Sequence, residues 1–506
     1  MSGGIFPEGN TVMALTLIVP LIGAVLIPLF RKKPNMRETV TLITAGVLFD
    51  LVVILADKVL NGGVPSLPPL EVFAGLEIRF EIEPLGMLFA LVAATLWIVN
   101  SIYSIGYMRG NNEPRQTPFY ICFAVAIFAT LGIAFAANLF TLFLFYEILT
   151  LSTYPLVTHR GTAEARNAGR LYLLMLLGAS TILLLPAMGW TWVAAETLDF
   201  RDGGILGGVV SNTALGVLLA LYVFGTAKAA VMPLHFWLPA AMVAPTPVSA
   251  LLHAVAVVKA GVFTILKVVV YIFGVETLAE AGSGDWLVYV AGFTVVVASA
   301  IALRQDNLKR RLAFSTISQL SYVVLGAALF TPLAVLGAAL HIAAHAVSKI
   351  TLFFAAGSIH VGSHVDDISA MKGVGRKQPW TMGAFAVASL SMIGVPPTAG
   401  FLGKWFILLA AVGIGQWFAV GAIVISTLLN AGYFLPIVYR AFSKVDGARP
   451  GLAEAPWPVV APLVVTAFLT VALFLWPEIP FRLAEMLSSS LTLVPAEGLT
   501  VVPSGG

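Results

Sequence analysis

Apolar runs of about twenty residues recur along almost the whole chain, and roughly twenty is the number that crosses a hydrocarbon core as a helix. Short polar loops separate them. Of the 506 residues 59% are hydrophobic and only 10% are charged, against roughly 25% charged in soluble domains. Such a chain has too little polar surface to cover itself in water, so its main solvent is lipid. The reading is an all-α polytopic membrane protein with about fourteen spans, at roughly 11–30, 38–57, 84–107, 117–135, 138–158, 168–194, 212–240, 246–273, 286–303, 312–330, 333–357, 380–412, 417–441 and 457–476. The single cysteine, Cys122, excludes disulfides within one chain and all-cysteine metal sites. The first apolar run is expected to stay as a mature helix. Glu8 precedes it and Arg31, Lys32 and Lys33 follow it, the reverse of a signal peptide.

Lysine and arginine in the loops orient the spans. With both termini outside, nineteen of the 28 basic residues fall in inner loops, among them Arg31 to Lys33, Arg37, Arg109, Arg160, Lys309 to Arg311, Arg376, Arg440 and Arg449. Four fall outside: Lys58, Arg79, Arg201 and Arg482. This asymmetry supports an even number of spans. It leaves Lys228, Lys259, Lys267, Lys349 and Lys404, all inside apolar runs.

A lysine at the bilayer centre costs about 2.5–3.5 kcal/mol, so such residues face a partner or water. Lys267 comes late in its span and is expected to snorkel to the interface; the other four are candidate proton carriers. Glu147 sits in mid-span, and Lys228 is its expected partner. A partner that moves would shift the lysine's proton affinity, which suits a relay. A static ion pair is the simpler alternative. Asp50 is a second carboxylate in an apolar run, with a rim position as its alternative.

Two spans are interrupted. Pro233 cannot donate to the carbonyl of Ala229, so the helix is expected to open just after Lys228. Pro396 and Pro397 free the carbonyls of Met392 and Ile393 shortly before Lys404. Non-helical backbone at this depth is tolerated only inside protein or beside water. The interruptions lie five spans apart and so run in opposite directions, as in inverted repeats. The expected organisation is three leading helices over 1–110, a first repeat over 111–275 (spans 4–8), a second over 276–445 (spans 9–13), and a last helix with its tail over 446–506. The repeats differ in that the tenth span has no carboxylate to match Glu147; it offers Ser315, Ser318, Gln319, Ser321 and Tyr322.

His341, His345 and Lys349 follow at i, i+4, i+8 and share one helix face. His253 and Lys259 are six residues apart, on differing faces. Imidazole titrates near neutral pH, which favours proton relay; without a third ligand a metal site is not expected. His235, just after Pro233, is expected near a water-filled opening, and His360 and His364 near the inner loops.

The segments NLFTLFLFYEILTLSTYPL, KAAVMPLHFWLPAAMVAPTPVSALLHAVAVVKAGVF, DNLKRRLAFSTISQLSYVVLG, HIAAHAVSKITLFFAAGSIH and GVPPTAGFLGKW resemble the proton-conducting, antiporter-like subunits of complex I, membrane-bound hydrogenases and Mrp cation/proton antiporters. The resemblance covers nearly the whole chain. It implies a buried axis through Glu147, Lys228, Lys259 with His253, then His341, His345 and Lys349, and finally Lys404, served by two offset half-channels. It implies other membrane subunits as partners, protons as cargo with sodium coupled to them in a Mrp-type complex, no cofactor, no nucleic acid, and a prokaryotic cytoplasmic membrane. Lysine in GFLGKW resembles the D-type subunit of Mrp antiporters and some complex I subunits; the reading leans to the D-type, an ion-transport subunit and not an enzyme. The alternatives are the pumping arm of a redox complex, and a membrane scaffold that transports nothing.

Overall fold

A computed structural model describes residues 9–73, 75–444 and 451–491. Arg449 and both chain ends lie outside these residues. The chain is helical, and helix occupies each of the fourteen expected segments. In order these are α1 (Gly9–Phe30), α2 (Pro34–Leu60), α3 (Pro84–Gly110), α4 (Gln116–Ala134), α5 (Leu139–Val157), α6 (Ala163–Ala195) and α7 (Asn212–Gly225). There follow α8 (Thr246–Phe273), α9 (Trp286–Leu303), α10 (Leu308–Ala328), α11 (Pro332–Ser363), α12 (Pro379–Ile393), α13 (Gly400–Gly413), α14 (Trp417–Phe442) and α15 (Trp457–Leu475). A final amphipathic helix, α16, spans Glu478–Ser489.

Among the described residues eleven of these helices are long and apolar enough to cross a membrane, while α7, α12 and α13 are shorter. The exception in kind is α10, which is 21 residues long but carries Ser315, Ser318, Gln319 and Ser321. These four are fully buried, so α10 turns its polar stripe to protein rather than lipid. The centre of the bundle belongs to α8 and α11, whose apolar stretches are 100% and 94% buried against 39% for peripheral α2 and α14. That gradient identifies where charges can be held away from lipid. The cationic residues of α8 and α11 are therefore inside the protein before any site chemistry is considered.

Several helices outrun the hydrocarbon. A helix of 27 residues such as α3 is about 40 Å long, against a core of about 30 Å. Basic residues assigned to inner loops therefore sit in terminal turns. Arg37 belongs to α2 and is buried, donating to Glu38, Gln116 and Thr117. Glu38 is also paired with Arg109 at the end of α3. Arg311 lies in the first turn of α10 and donates to the carbonyls of Leu303, Gln305 and Tyr433. An antiparallel hairpin departs from the all-helical expectation: Leu70–Phe73 pairs with Leu76–Ile78, with Leu70 opposite Ile78. Four and three residues in a proline-rich loop are too few for a strand period to stand out.

Candidate functional site

The first helix break begins earlier than Pro233 predicts. α7 stops at Gly225, and Thr226 leaves the helix with ψ +54°. Lys228 lies in a single 3-10 turn, Ala227–Ala229, and Ala230 follows with φ +56°. Packing explains the difference. A Cβ on Gly261 of α8 would fall 2.2 Å from the nitrogen of Ala229 and 2.4 Å from the carbonyl carbon of Lys228. The bare glycine lets α8 press on the gap itself, so the opening is held by backbone contact as well as by the missing proline donor.

Lys228 is fully buried. Its Nζ donates to the Tyr146 carbonyl at 2.8 Å and to Thr150 Oγ1 at 2.6 Å, and stands 3.1 Å from the centre of the Tyr146 ring. Hydrogen bonds to a charged group contribute about 1.5–3 kcal/mol each, and a desolvated cation–π contact about 2 kcal/mol. Together, at about 5–8 kcal/mol, they exceed the insertion cost of a lysine, about 2.5–3.5 kcal/mol. The expected contact with Glu147 is not made. Neither shielded oxygen of Glu147 meets a hydrogen-bond partner among the described residues. Neighbouring helix residues point about 100° apart, and the face of α5 turned to Lys228 carries Tyr146 and Thr150, one turn from each other. Glu147 acts on Lys228 through space only.

The middle of the axis is a direct junction between α8 and α11. Lys259 Nζ lies 2.6 Å from His345 Nδ1, and both side chains are fully buried. His341 stacks along α11 on His345, ring centres 6.1 Å apart. His253 occupies a π turn, Leu251–Val255, and packs on Phe353 with 4.7 Å between ring centres. Its two ring nitrogens meet no hydrogen-bond partner among the described residues. Lys349 donates to Ser315 Oγ of α10 at 2.9 Å.

The second break follows the sequence closely. α12 ends at Ile393 and Gly394 turns the chain with φ +94°. Lys404, one turn into α13, reaches back to the two carbonyls that the prolines free. Its Nζ donates to Met392 O at 2.6 Å and Ile393 O at 3.2 Å, and lies 4.6 Å from the centre of the Tyr322 ring. The Tyr322 ring is in turn 5.6 Å from that of His341. Gly403 brings α13 onto α11, since a Cβ there would fall 2.7 Å from His341 Cβ.

A family model described as NADH:quinone oxidoreductase/Mrp antiporter, transmembrane, matches residues 136–430, which contain this whole row of residues. The chain belongs to that family. The N-type subunit of an NADH-quinone oxidoreductase from Desulforudis audaxviator is 31% identical over 92% of this chain and 95% of its own length. The A-type subunit of a Na(+)/H(+) antiporter from Alkalihalophilus pseudofirmus is 30% identical over 78% of this chain, which spans 51% of that larger protein. In fold, a chain of the Mrp complex from Dietzia sp. superposes with a TM-score of 0.84 at 22% identity, covering 96% of this chain and 98% of the other. A chain of an archaeal membrane-bound sulfane sulfur reductase gives 0.83 at 24%, covering 95% and 97%. The antiporter-like fold, an ion-translocating membrane subunit of multisubunit complexes, is thus common to antiporters and respiratory assemblies.

The remaining candidates divide. In this antiporter-like chain Lys267 does not snorkel. It is fully buried and bonded to Glu83 Oε1 at 3.0 Å and to the Ala136 carbonyl at 2.7 Å. Glu83 accepts further bonds from the backbone of Leu85 and Gly86, capping α3, and from the Tyr271 hydroxyl. Both oxygens of this carboxylate are engaged by protein donors, so the pair is a fixed clamp between α3 and α8. Asp50 is exposed on α2 and pairs with nothing among the described residues. His235 is nearly buried and stacks on Phe236, which with Phe314 lines a cavity of about 790 Å³. Ser318 bonds Ser299 and the Val295 carbonyl, and Tyr322 holds the Ile423 carbonyl besides shielding Lys404. His360 lies in the last turn of α11 rather than in the loop, and pairs there with Asp366. Four polar residues that hold the row or its ligands, Tyr146 and Thr150 on Lys228, Tyr433 on Ser315 and Asn430 on the Met392 carbonyl, were not among the candidates read from sequence. Their signal was available as polar residues one turn apart in otherwise apolar helices.

Proposed function

We propose that this chain is a proton-translocating subunit of a multisubunit membrane complex, with protons passing along Glu147, Lys228, His253, Lys259, His345, His341, Lys349 and Lys404. The observation that carries the reading is the Lys259–His345 contact of 2.6 Å between the two central helices. A protonated Lys259 donates its hydrogen to Nδ1 of a neutral imidazole. Transfer breaks one N–H bond on the lysine and forms one on the ring, leaving a neutral amine and an imidazolium. Both groups cannot hold the charge at that distance, so a proton arriving on one side displaces one to the other. The two breaks supply the ends of the axis: Lys228 in the gap of the first repeat and Lys404 beyond the gap of the second. Half-channels to the two sides, with basic loops and thus the cytoplasm on the side of Arg160 and Lys309, complete the path.

For the parent complex, we read a Mrp-type sodium/proton antiporter with this chain as its D-type component, on the lysine at position 404. A redox-driven complex is the second reading, favoured by the full-length similarity to the N-type subunit of a quinone oxidoreductase. Sodium-dependent dissipation of a pH gradient by the intact complex in proteoliposomes supports the first; quinone- or ferredoxin-driven acidification supports the second. In either complex, Glu147→Ala and Lys228→Ala are expected to abolish proton flux while the complex still assembles. Unchanged flux in both assembled variants would overturn the axis.

A further inference from the structure

Lys349 and Lys404 hang from different helices, yet their binding partners are joined by one buried chain of hydrogen bonds. Lys349 Nζ donates to Ser315 Oγ at 2.9 Å, and Ser315 Oγ lies 3.0 Å from the Tyr433 hydroxyl. That hydroxyl also lies 2.5 Å from Asn430 Oδ1. Asn430 Nδ2 donates to the Met392 carbonyl at 3.3 Å, the same oxygen that Lys404 holds at 2.6 Å and that Gln319 approaches at 3.3 Å. Ser315, Gln319, Asn430 and Tyr433 are fully buried. Asn430 and Tyr433 come from α14, outside the row of titratable residues, and the proton path gives them no task.

Counting hydrogens fixes what such a chain can do. The phenol has one hydrogen and two neighbours that can take it, Ser315 Oγ and Asn430 Oδ1. The amide oxygen has none to give. When Lys349 is charged, its ammonium donates to Ser315, the serine hydroxyl donates to Tyr433, and Tyr433 donates to Asn430. When Lys349 is neutral, its amine accepts from Ser315, the serine oxygen accepts the phenol hydrogen, and Asn430 Oδ1 loses its short bond. Ser299, 3.4 Å away, is the donor left to it. No proton leaves through Asn430. What passes along is the direction of the bonds. Accepting the phenol hydrogen polarises the amide and strengthens its own donation. The Met392 carbonyl has two lone pairs for three donors, so a stronger bond from Asn430 is made at the expense of Lys404.

We propose that Ser315, Tyr433 and Asn430 are a reversible hydrogen-bond bridge through which a charge on Lys349 loosens the hold of the Met392 carbonyl on Lys404, easing release of the Lys404 proton. The three are positioning residues. This deepens the proposed proton path and rests on it. Other charges also act on these lysines: His253 and Lys259 of α8 and His341 and His345 of α11 interact electrostatically with Lys349, and His341 also with Lys404, as Lys349 itself does. Their influence is through space and persists when the bridge is cut, which makes the bridge separable by mutation.

The test is the pH profile of proton transport by the intact complex in proteoliposomes. Tyr433→Phe removes one hydroxyl and keeps the ring packed on Phe434. It is expected to move the pH of half-maximal rate by about half a unit, roughly a threefold change in proton concentration. Asn430→Leu is expected to give the same displacement, and the double variant no more than either alone, since both cut one bridge. Ser315→Ala serves if either variant fails to assemble. A uniform loss of rate with an unmoved midpoint, or additive displacements, would overturn the bridge. If Lys228→Ala and Glu147→Ala abolish flux while Tyr433→Phe leaves the midpoint in place, the bridge alone is wrong. If those two leave flux intact, the path beneath it is wrong.

Discussion

The two helix breaks hold their lysines in opposite ways. Lys228 lies in the gap of its own broken segment but bonds to an unbroken neighbour, α5. The Tyr146 carbonyl it uses belongs to the middle of a continuous helix. Lys404 lies on the helix after its gap and bonds back to the freed carbonyls of α12. It therefore satisfies the orphan groups that any helix end exposes, and serves as the cap of the half-helix as well as in its proposed role of charge carrier. A proton lost from Lys228 disturbs one ligand set; a proton lost from Lys404 loosens a helix end. The same residue type at corresponding breaks thus combines charge with structure to different degrees.

Replacing the lysines breaks the comparison most directly. Lys228→Met is expected to reduce proton flux on the order of 10²-fold or more, the usual contribution of a proton-transfer group, with little change in thermal stability. Lys404→Met is expected to stop flux too, but also to destabilise by about 1–3 kcal/mol, the cost of leaving a buried carbonyl unsatisfied. Asn430 and Gln319 still serve Met392; Ile393 loses its side-chain donor. Equal melting temperatures for the two purified variants would refute the distinction.

The glycines sharpen it. Gly261→Ala places a Cβ against backbone atoms at 2.2 Å, and Gly403→Ala places one at 2.7 Å from a side-chain carbon. Overpacking of a core costs about 1–3 kcal/mol, and the first should exceed the second because its approach is closer: at Gly403 the neighbours are His341 Cβ at 2.7 Å and the His341 backbone at 2.8 Å. Melting of the two variants measures this, and a larger loss at Gly403 would contradict it. A smaller effect concerns only the second half. The Asp306 carboxyl accepts from the hydroxyl and backbone N–H of Ser369, and the hydroxyl bond is the main cause that holds it below the ordinary carboxylate range. Its stabilisation is present above the unfolded value and is lost as pH falls through the lower folded one. Asp306→Asn should flatten the stability of the α9–α10 and α11–α12 loops across the acid range. Hydrogen exchange in those loops would register it, and an unchanged acid dependence would dismiss it.

Most of the fold was legible because apolar length is a strong signal, and the second break because proline names the carbonyls it frees. The first break was legible in place but not in register. Pro233 marks Ala229, whereas the approach of Gly261 depends on a helix that is distant in sequence. Lys228 is fully buried and Glu147 half-buried with shielded oxygens, but that the two do not touch was not readable, since which face of α5 meets the gap is decided by packing. The reverse error fell on Lys267. Its late position suggested an interface, while its partner Glu83 lies on the far side of five helices in the chain and is engaged as a cap. Hydroxyl and amide groups such as Tyr433 and Asn430 carry no formal charge, so accounting for charges passed over them.

The complete burial of α8 has a consequence for how the molecule is made. A segment with His253, Lys259 and Lys267 and no lipid-facing side is a poor substrate for one-by-one insertion, at about 2.5–3.5 kcal/mol per central lysine. The residues of α10 and α11 that enclose it are synthesised later. During biogenesis α8 must therefore wait at the insertion machinery, or in a water-lined vestibule, until α11 brings His345 to Lys259. Nascent chains truncated before α11 should expose α8 to glycosylation or protease reporters, and full-length chains should not; stable insertion in the truncated chains would show that the helix enters the bilayer unaided.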